Sequence, residues 1–489
     1  MPDRTRVVVV GAGASGTLAA IHLLRADVPL ELVLVDRSGE FGPGRAYRTG
    51  DPGHLLNTAA GKMSALADDA GHFARWAGVA GDEFLPRGEY GRYLAETLRG
   101  AEADAVVRHL PSASGSGHLA GTTVGSHGSA AVRHLAGTAA GSHDGTAVRH
   151  LTAVPDSASR GSTSVRHLAD TATGLTSHPR GVTVDLERTG PVHADFAVLA
   201  PGAGTTDPLA HLIPHDSARY VADPWAGPLP DTGGAPVLVL GTGLSMMDVS
   251  VAVAEDSVVH AISRHGLLPQ PHRNGGTPKP SLPEPPRTTR LGELMAFVRR
   301  NVRAHPDRWR DVLDHLRPHT HHLWRQLDVP ERRRFLDRVG HYWNVHRHRA
   351  APTTHRRVRE LIDAGRVRLH QGEVKAVRPA GEGFHVDLSG PRGDRTLTVG
   401  WLVNATGFRQ DGGPLVRGLV DEGTARPDPI GLGVRTEPDG RVLDGRGKPC
   451  RIFALGALRR GELFESTAVP EIRAQAAEIA ATVAAHRTR

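Results

Sequence analysis

The chain has 489 residues with a formal charge of +7 and one cysteine, Cys450, a length beyond the roughly 250–300 residues at which single cores stop growing, so two or more lobes are expected. The single cysteine excludes an intramolecular disulfide, a Cys-x-x-Cys redox pair and a cysteine-based metal cluster, and no zinc-ligand spacing occurs, so no metal is expected. The Arg residues are dispersed with no basic stripe and no interleaved aromatics, and no apolar run approaches the roughly 20 residues that cross a bilayer; anionic small ligands are favoured over nucleic acid or membrane, and cytoplasmic residence is the expectation.

Val7 to Val10 reads as a strand buried on both faces, running directly into Gly11-Ala-Gly13-Ala-Ser15-Gly16 and a helical pattern to Arg25. Gly11 permits the tight turn, Gly13 admits a pyrophosphate close to the backbone, Gly16 allows close helix-to-strand packing, and the positive helix end favours phosphate. The next strand, Leu30 to Val35, ends in Asp36, twenty residues beyond Gly16 and followed by Arg37; a carboxylate there accepts from adenosine ribose hydroxyls.

From Ala101 to about Pro179 the chain is rich in Gly, Ser, Thr, Ala and His and repeats Val-Arg-His-Leu, beginning at Val107, Val132, Val148 and Val165. The irregular spacing does not fit a solenoid, and the reading is a strand-turn unit duplicated within a surface insertion, part of it unfolded. A metal role for its histidines is disfavoured because none has a carboxylate or Cys partner nearby. Gly181 to Leu186 and Phe196 to Gly202 resume the first lobe.

Pro236 to Leu240 repeats the strand pattern and enters Gly241-Thr-Gly243-Leu-Ser245-Met-Met-Asp248. The third glycine is replaced by Met246, which suggests looser helix packing. The following strand ends in Ser263-Arg264, where a guanidinium and a hydroxyl suit a 2'-phosphate that an acid would repel. Two turns of different charge logic imply two dinucleotides; FAD first and NADPH second is the usual order in flavin enzymes with two dinucleotide-binding domains, and is the expectation here. Between Leu291 and Gly365 apolar residues recur at three and four, most of them read as core. Within that segment His346, Arg347 and Arg349 are candidates for holding an anionic substrate. Trp401 to Gly407 closes the second lobe, and Phe196 to Gly202 with Trp401 to Gly407 reads as the two crossings between lobes. The strand Arg451 to Ala457 returns to the first lobe, with a helix starting near Val469.

These residues, with Phe41-Gly42-Pro-Gly44-Arg-Ala-Tyr47, His54-Leu-Leu-Asn57, Met63-Ser64, Phe84 to Tyr93, Ser263 to Pro269 and Arg459 to Glu471, resemble a bacterial family of FAD/NAD(P)-binding proteins related to flavin-containing and N-hydroxylating monooxygenases. The resemblance covers nearly the whole chain apart from the repeats. It implies that Gly42, Gly44, Tyr47, Asn57, Met63 and Ser64 line the flavin and that Arg87 and Tyr90 support it. Gly202, Thr406, Gly407 and Gly456, at strand-to-turn junctions, complete the expected cofactor contacts. Ala457 stands where many relatives carry an Asp.

The expected fold is α/β, with two Rossmann-like dinucleotide-binding domains and a mostly helical insertion. The expected divisions are 1–100, 181–220 and 411–489 for the FAD-binding domain, 101–180 for the repeats, 221–290 and 366–410 for the NADPH-binding domain, and 291–365 for a helical substrate-proximal segment. The expected activity is NADPH-reduced, FAD-dependent transfer of oxygen from O2 to the nitrogen of a small amine or amino acid; relatives that oxidise aspartate make that one candidate. A dehydrogenase or flavin reductase passing electrons to an organic acceptor needs the same two sites. A non-catalytic redox sensor is the alternative of another class. Oligomeric state is not readable.

Overall fold

The computed structural model describes residues 4–108, 163–202, 204–205, 207–214, 217–273, 280–409 and 412–487. Strands rich in Val and Leu, Thr5–Val10 and Leu30–Val35, lie side by side in parallel register with every residue of the second buried. Such runs satisfy a sheet covered on both faces. They sit in a six-stranded sheet whose order is Arg441–Leu443, Pro449–Ala454, Phe196–Leu199, Thr5–Val10, Leu30–Val35, Ser164–Leu168. On one face pack the helices Ala14–Arg25, Arg87–Arg108 and Val469–Arg487, contributing Leu18, Ile21, Leu94, Ile472 and Ile479 to one core. On the other lie the antiparallel strands Ala172–His178, Gly181–Leu186 and Gly190–Ala194 and the helix Gly413–Asp421.

The second lobe is a parallel sheet ordered Val367–Gln371, Val259–Ser263, Val237–Leu240, Trp401–Asn404, Tyr220–Val221. Helices Leu244–Val253 and Pro352–Asp363 cover one face and the antiparallel strands Glu373–Ala380, Gly383–Ser389 and Arg395–Val399 the other. Met246 does not loosen its helix: it is fully buried and its sulfur accepts from Ser250 Oγ at 3.2 Å. The crossings between lobes meet, because Gly204–Thr205 pairs antiparallel with Phe408–Arg409.

Three boundaries differ from those expected from the sequence. The repeat-rich insertion does not begin at 101 or run to 180. The helix Arg87–Arg108 continues past that point with Ala101 and Ala105 buried in the first core, and the fourth repeat copy is the sheet strand Ser164–Leu168, paired with residues 31–35. Its His167 stacks on Phe41 with centroids 4.4 Å apart and bonds Glu102 Oε1 at 2.8 Å, a packing role that a tetrapeptide in a polar, repetitive stretch does not advertise. The second and third copies lie outside the described residues. The helical segment proper ends at Arg347, since Pro352–Asp363 buries Val358 and Leu361 on the second sheet.

That segment comprises Leu291–Ala304, Trp309–Leu316, Thr320–Gln326, Val329–Arg338 and Gly340–Arg347. Asp328 caps the fourth helix by accepting from Glu331 N at 2.9 Å, while the Glu331 carboxylate accepts from Leu291 N at 3.0 Å and so caps the first. One acidic pair thus sets both helix starts. Among the described residues no helix is long and apolar enough to cross a membrane, and no group of His, Cys, Asp and Glu could hold a metal.

Candidate functional site

The first glycine turn is shaped by backbone contacts that exclude any side chain. Gly11 has φ +93°, and a Cβ there would collide with the Ala200 carbonyl; one on Gly16 would collide with the Gly11 carbonyl. Gly44, with φ +62°, lies over the turn so closely that its Cβ would sit 2.7 Å from Gly13 Cα. Gly13 precedes the helix Ala14–Arg25 without a side-chain cap, leaving the first amide groups of the helix to a ligand. Asp36 closes the cradle: its Oδ2 accepts from Ala12 N at 2.9 Å and its Oδ1 from Ser38 N and Oγ at 2.9 and 2.6 Å. Arg37 is exposed beside it. Gly456, φ +67°, comes within Cβ contact of Ser15 Oγ and donates its N–H to Gln475 Oε1 at 3.0 Å. Ser466 Oγ, fully buried nearby in sequence, has no protein partner. The cradle and the orphaned hydroxyl fit an extended dinucleotide.

The remaining first-lobe candidates divide. Tyr47 and Tyr90 meet edge to face at 4.7 Å; burial raises both phenol pKa values, and the Tyr90 hydroxyl is buried without a partner. Met63 is core, and Ser64 spends its hydroxyl within its own loop, donating to Asp69 O at 2.6 Å. Gly42, φ +131°, packs on Ala95, and Gly202, φ +74°, is open. The Asn57 carbonyl accepts from His272 Nε2 at 2.9 Å; burial lowers the His272 pKa to about 4, so the ring is neutral and its donor position fixed.

In the second turn, a Cβ on Gly241, φ +116°, would collide with the Ala405 carbonyl, whereas Gly243 and Gly407 have open space around them. Asn404, which carries no motif signal in the sequence, organises this end: its Nδ2 donates to Ala222 O at 3.0 Å and its Oδ1 accepts from Thr406 N at 3.1 Å. Ser245 lies in the first turn of the helix Leu244–Val253. The Ser263 hydroxyl is engaged with Thr242 Oγ1 at 2.7 Å and Gly266 N at 3.0 Å, while Arg264 is exposed beside His265, whose ring stacks on His341 at 3.7 Å. An exposed cation at the end of this strand suits a phosphate on the ribose.

Two expectations drawn from the sequence look different in three dimensions. Arg87 and Asp248, expected to touch different cofactors, bond to each other at 3.0 Å across the lobes, and Arg87 lies 5.3 Å over the Trp225 ring. Burial pushes the Asp248 carboxyl pKa up, opposed by Arg87. Arg347 and Arg349 are not free to anchor an anion: Arg347 pairs with Glu465 at 2.6 Å, and buried Arg349 pairs with Asp314 at 3.0 Å. His346 bonds back to Tyr342 O at 2.8 Å.

His346 instead lines a half-open cavity of about 460 Å³ formed mostly by the helical segment. The apolar residues read as core, Leu294, Phe297, Leu313, Leu323, Trp324 and Phe335 among them, are its wall. Phe464 closes one side with φ +61°, the only described non-glycine residue at positive φ, stacked on Trp324 at 4.5 Å.

Residues 8–113 match a family model described as FAD-NAD(P)-binding. The matched stretch holds the first glycine turn and Asp36. No curated protein matches the sequence significantly. Among solved structures, ornithine N-hydroxylase from Kutzneria sp. 744 is 16% identical with TM-score 0.59, over 99% of this chain and all of that one. L-lysine 6-monooxygenase from Pseudomonas syringae is 14% identical with TM-score 0.58, over 98% and 99%. Bacillithiol disulfide reductase from Staphylococcus aureus is 9% identical with TM-score 0.55, over 99% of each chain. The matched stretch thus sits within a two-lobed fold shared along nearly the whole chain, as expected from the two glycine motifs. A fold common to hydroxylases and a disulfide reductase does not choose between their chemistries.

Proposed function

We propose that the protein is a monooxygenase that holds FAD on the first lobe, takes hydride from NADPH on the second, and N-oxygenates a small amine. The balanced reaction is R–NH2 + O2 + NADPH + H⁺ giving R–NHOH + NADP⁺ + H2O. The observation that carries the reading is two glycine cradles in one chain with a lone cysteine, whose thiol is half-buried and donates to Val442 O at 3.1 Å. Two dinucleotides without a dithiol leave O2 or an organic acceptor as the electron outlet. Bound FAD supplies the electron transfer and oxygen activation.

The chain supplies position and dryness. Gly11, Gly13, Gly16 and Gly44 shape the phosphate cradle, Asp36 the ribose end, and Gly241, Gly243 and Arg264 the NADPH end. Neutral His272 holds the Asn57 carbonyl, and Arg87, Trp225 and Asp248 join the lobes on the same side. An amino acid such as aspartate is one substrate within this reading, but it needs an anion anchor other than Arg347 and Arg349. The test mixes FAD-loaded protein with NADPH in air and follows flavin bleaching, O2 uptake and peroxide release as amines and amino acids are added. Substrate-stimulated NADPH oxidation with little peroxide supports the monooxygenase. Bleaching without O2 uptake transfers the reading to a reductase, and no bleaching removes both.

A further inference from the structure

The cavity in the helical segment has the wrong chemistry for an amino acid. Its wall is almost wholly aliphatic and aromatic, including Trp309, Trp324 and Trp343, and an α-ammonium or carboxylate placed there would lose its hydration without a partner. The two arginines expected to anchor an anion are already paired: Arg347 with Glu465 and Arg349 with Asp314. One polar group is unsatisfied. The Trp343 ring N–H is buried with no hydrogen-bond partner, so it adds no satisfied polar group to the wall. A volume of about 460 Å³ falls in the range of small-molecule sites.

The cavity also touches both routes to the expected flavin position. Gln270 lines it and is two residues from His272, which bonds Asn57. Phe464 lines it and is followed by Glu465 and the buried, unpartnered Ser466. Phe464 carries backbone strain held by stacking on Trp324 and by an edge contact with Phe335 at 5.2 Å, a conformation that persists only where its surroundings over-determine it. In the chain the strained residue directly precedes the stretch that leads into the first-lobe helix Val469–Arg487.

We infer that this cavity receives the hydrocarbon body of a lipophilic amine, and that this is the substrate class of the proposed N-oxygenation, on which reading the inference rests. Apolar surroundings disfavour an ammonium and so hold the nitrogen as the free base, the form whose lone pair attacks oxygen.

The test titrates FAD-loaded full-length protein with butylamine, hexylamine and octylamine by tryptophan fluorescence, since three of the six Trp line the cavity, and then measures NADPH-dependent O2 uptake with the same amines. Binding should tighten by about fourfold per methylene, the equivalent of about 0.8 kcal/mol, and Leu323→Trp or Val298→Phe, which fill the cavity, should remove that dependence. Affinities that ignore chain length in the unmodified protein overturn the inference, whatever the variants do. O2 uptake stimulated by ornithine or aspartate without chain-length-dependent binding overturns the inference and spares the monooxygenase. Chain-length-dependent binding without O2 uptake stimulated by these amines overturns their substrate role, and the monooxygenase then stands or falls on the flavin-bleaching and O2-uptake test with amino acids.

Discussion

The Arg87–Asp248 pair joins the start of a first-lobe helix to the first helix of the second sheet, with side chains 14% and 5% exposed. Removing one partner of such a buried pair costs about 3–5 kcal/mol because the other charge is left uncompensated, while replacing both costs far less. In a lobe of 150–250 residues, about 2–4 °C accompany each kcal/mol. Asp248→Asn and Arg87→Met should therefore each lower the second-lobe transition by roughly 6–20 °C, and the double variant by much less than their sum. Calorimetry of all four proteins resolves this, provided the transitions are assigned lobe by lobe, since a two-lobed chain is not expected to unfold in one step. The single variants should also differ with pH. Burial raises the Asp248 carboxyl pKa; a carboxyl raised above its unfolded value takes up a proton on folding, so its stabilisation is lost as pH rises through the folded pKa. The deficit of Arg87→Met should shrink on acidification and that of Asp248→Asn should not. Strictly additive losses in the double variant would refute the coupling.

Gly44→Ala places a methyl group 2.7 Å from Gly13 Cα on a backbone at φ +62°; FAD affinity by equilibrium dialysis should fall at least about tenfold, a cost of roughly 1.4 kcal/mol, while Gly50→Ala, with open space around it, should not change it. Arg264→Ala should raise KM for NADPH by about tenfold and leave NADH nearly unaffected; equal effects on both would remove the 2'-phosphate assignment. His272 and His370 have pKa values lowered by burial to about 4. Because unfolded histidine binds its proton near 6.5, stability should be full above that value and fall as pH drops toward 4, visible as a declining melting midpoint. His370→Gln should flatten part of that decline, and an unchanged acid limb would exclude His370 from it.

The glycine turns were legible because only a residue without Cβ fits Gly11, Gly16, Gly44 and Gly241; a backbone requirement of that kind leaves its mark on the letters themselves. Asp36 was legible from spacing alone. The fate of the charged side chains was not. Arg87 and Asp248 are 161 residues apart in the chain, and Arg347 and Glu465 are 118 apart, so each arginine alone reads equally well as a ligand contact or half of an ion pair. Helical periodicity places Leu313, Trp324 and Phe335 on inward faces without saying whether those faces meet or surround a space. The positive φ of Phe464 has no sequence signal, since the residue type argues against it.

The paired strands Gly204–Thr205 and Phe408–Arg409 make the chain leave and regain the first lobe at adjacent points, with Phe408 opposite Thr205. Topologically, what lies between is a cassette: none of its described strands belongs to the six-stranded sheet. A two-residue hairpin turn joining Thr205 to Phe408 would excise it without cutting that sheet or altering a residue of the FAD cradle. The excised piece would carry the second sheet together with the helical segment and nearly all of the cavity wall, so these two travel as one separable component of the architecture.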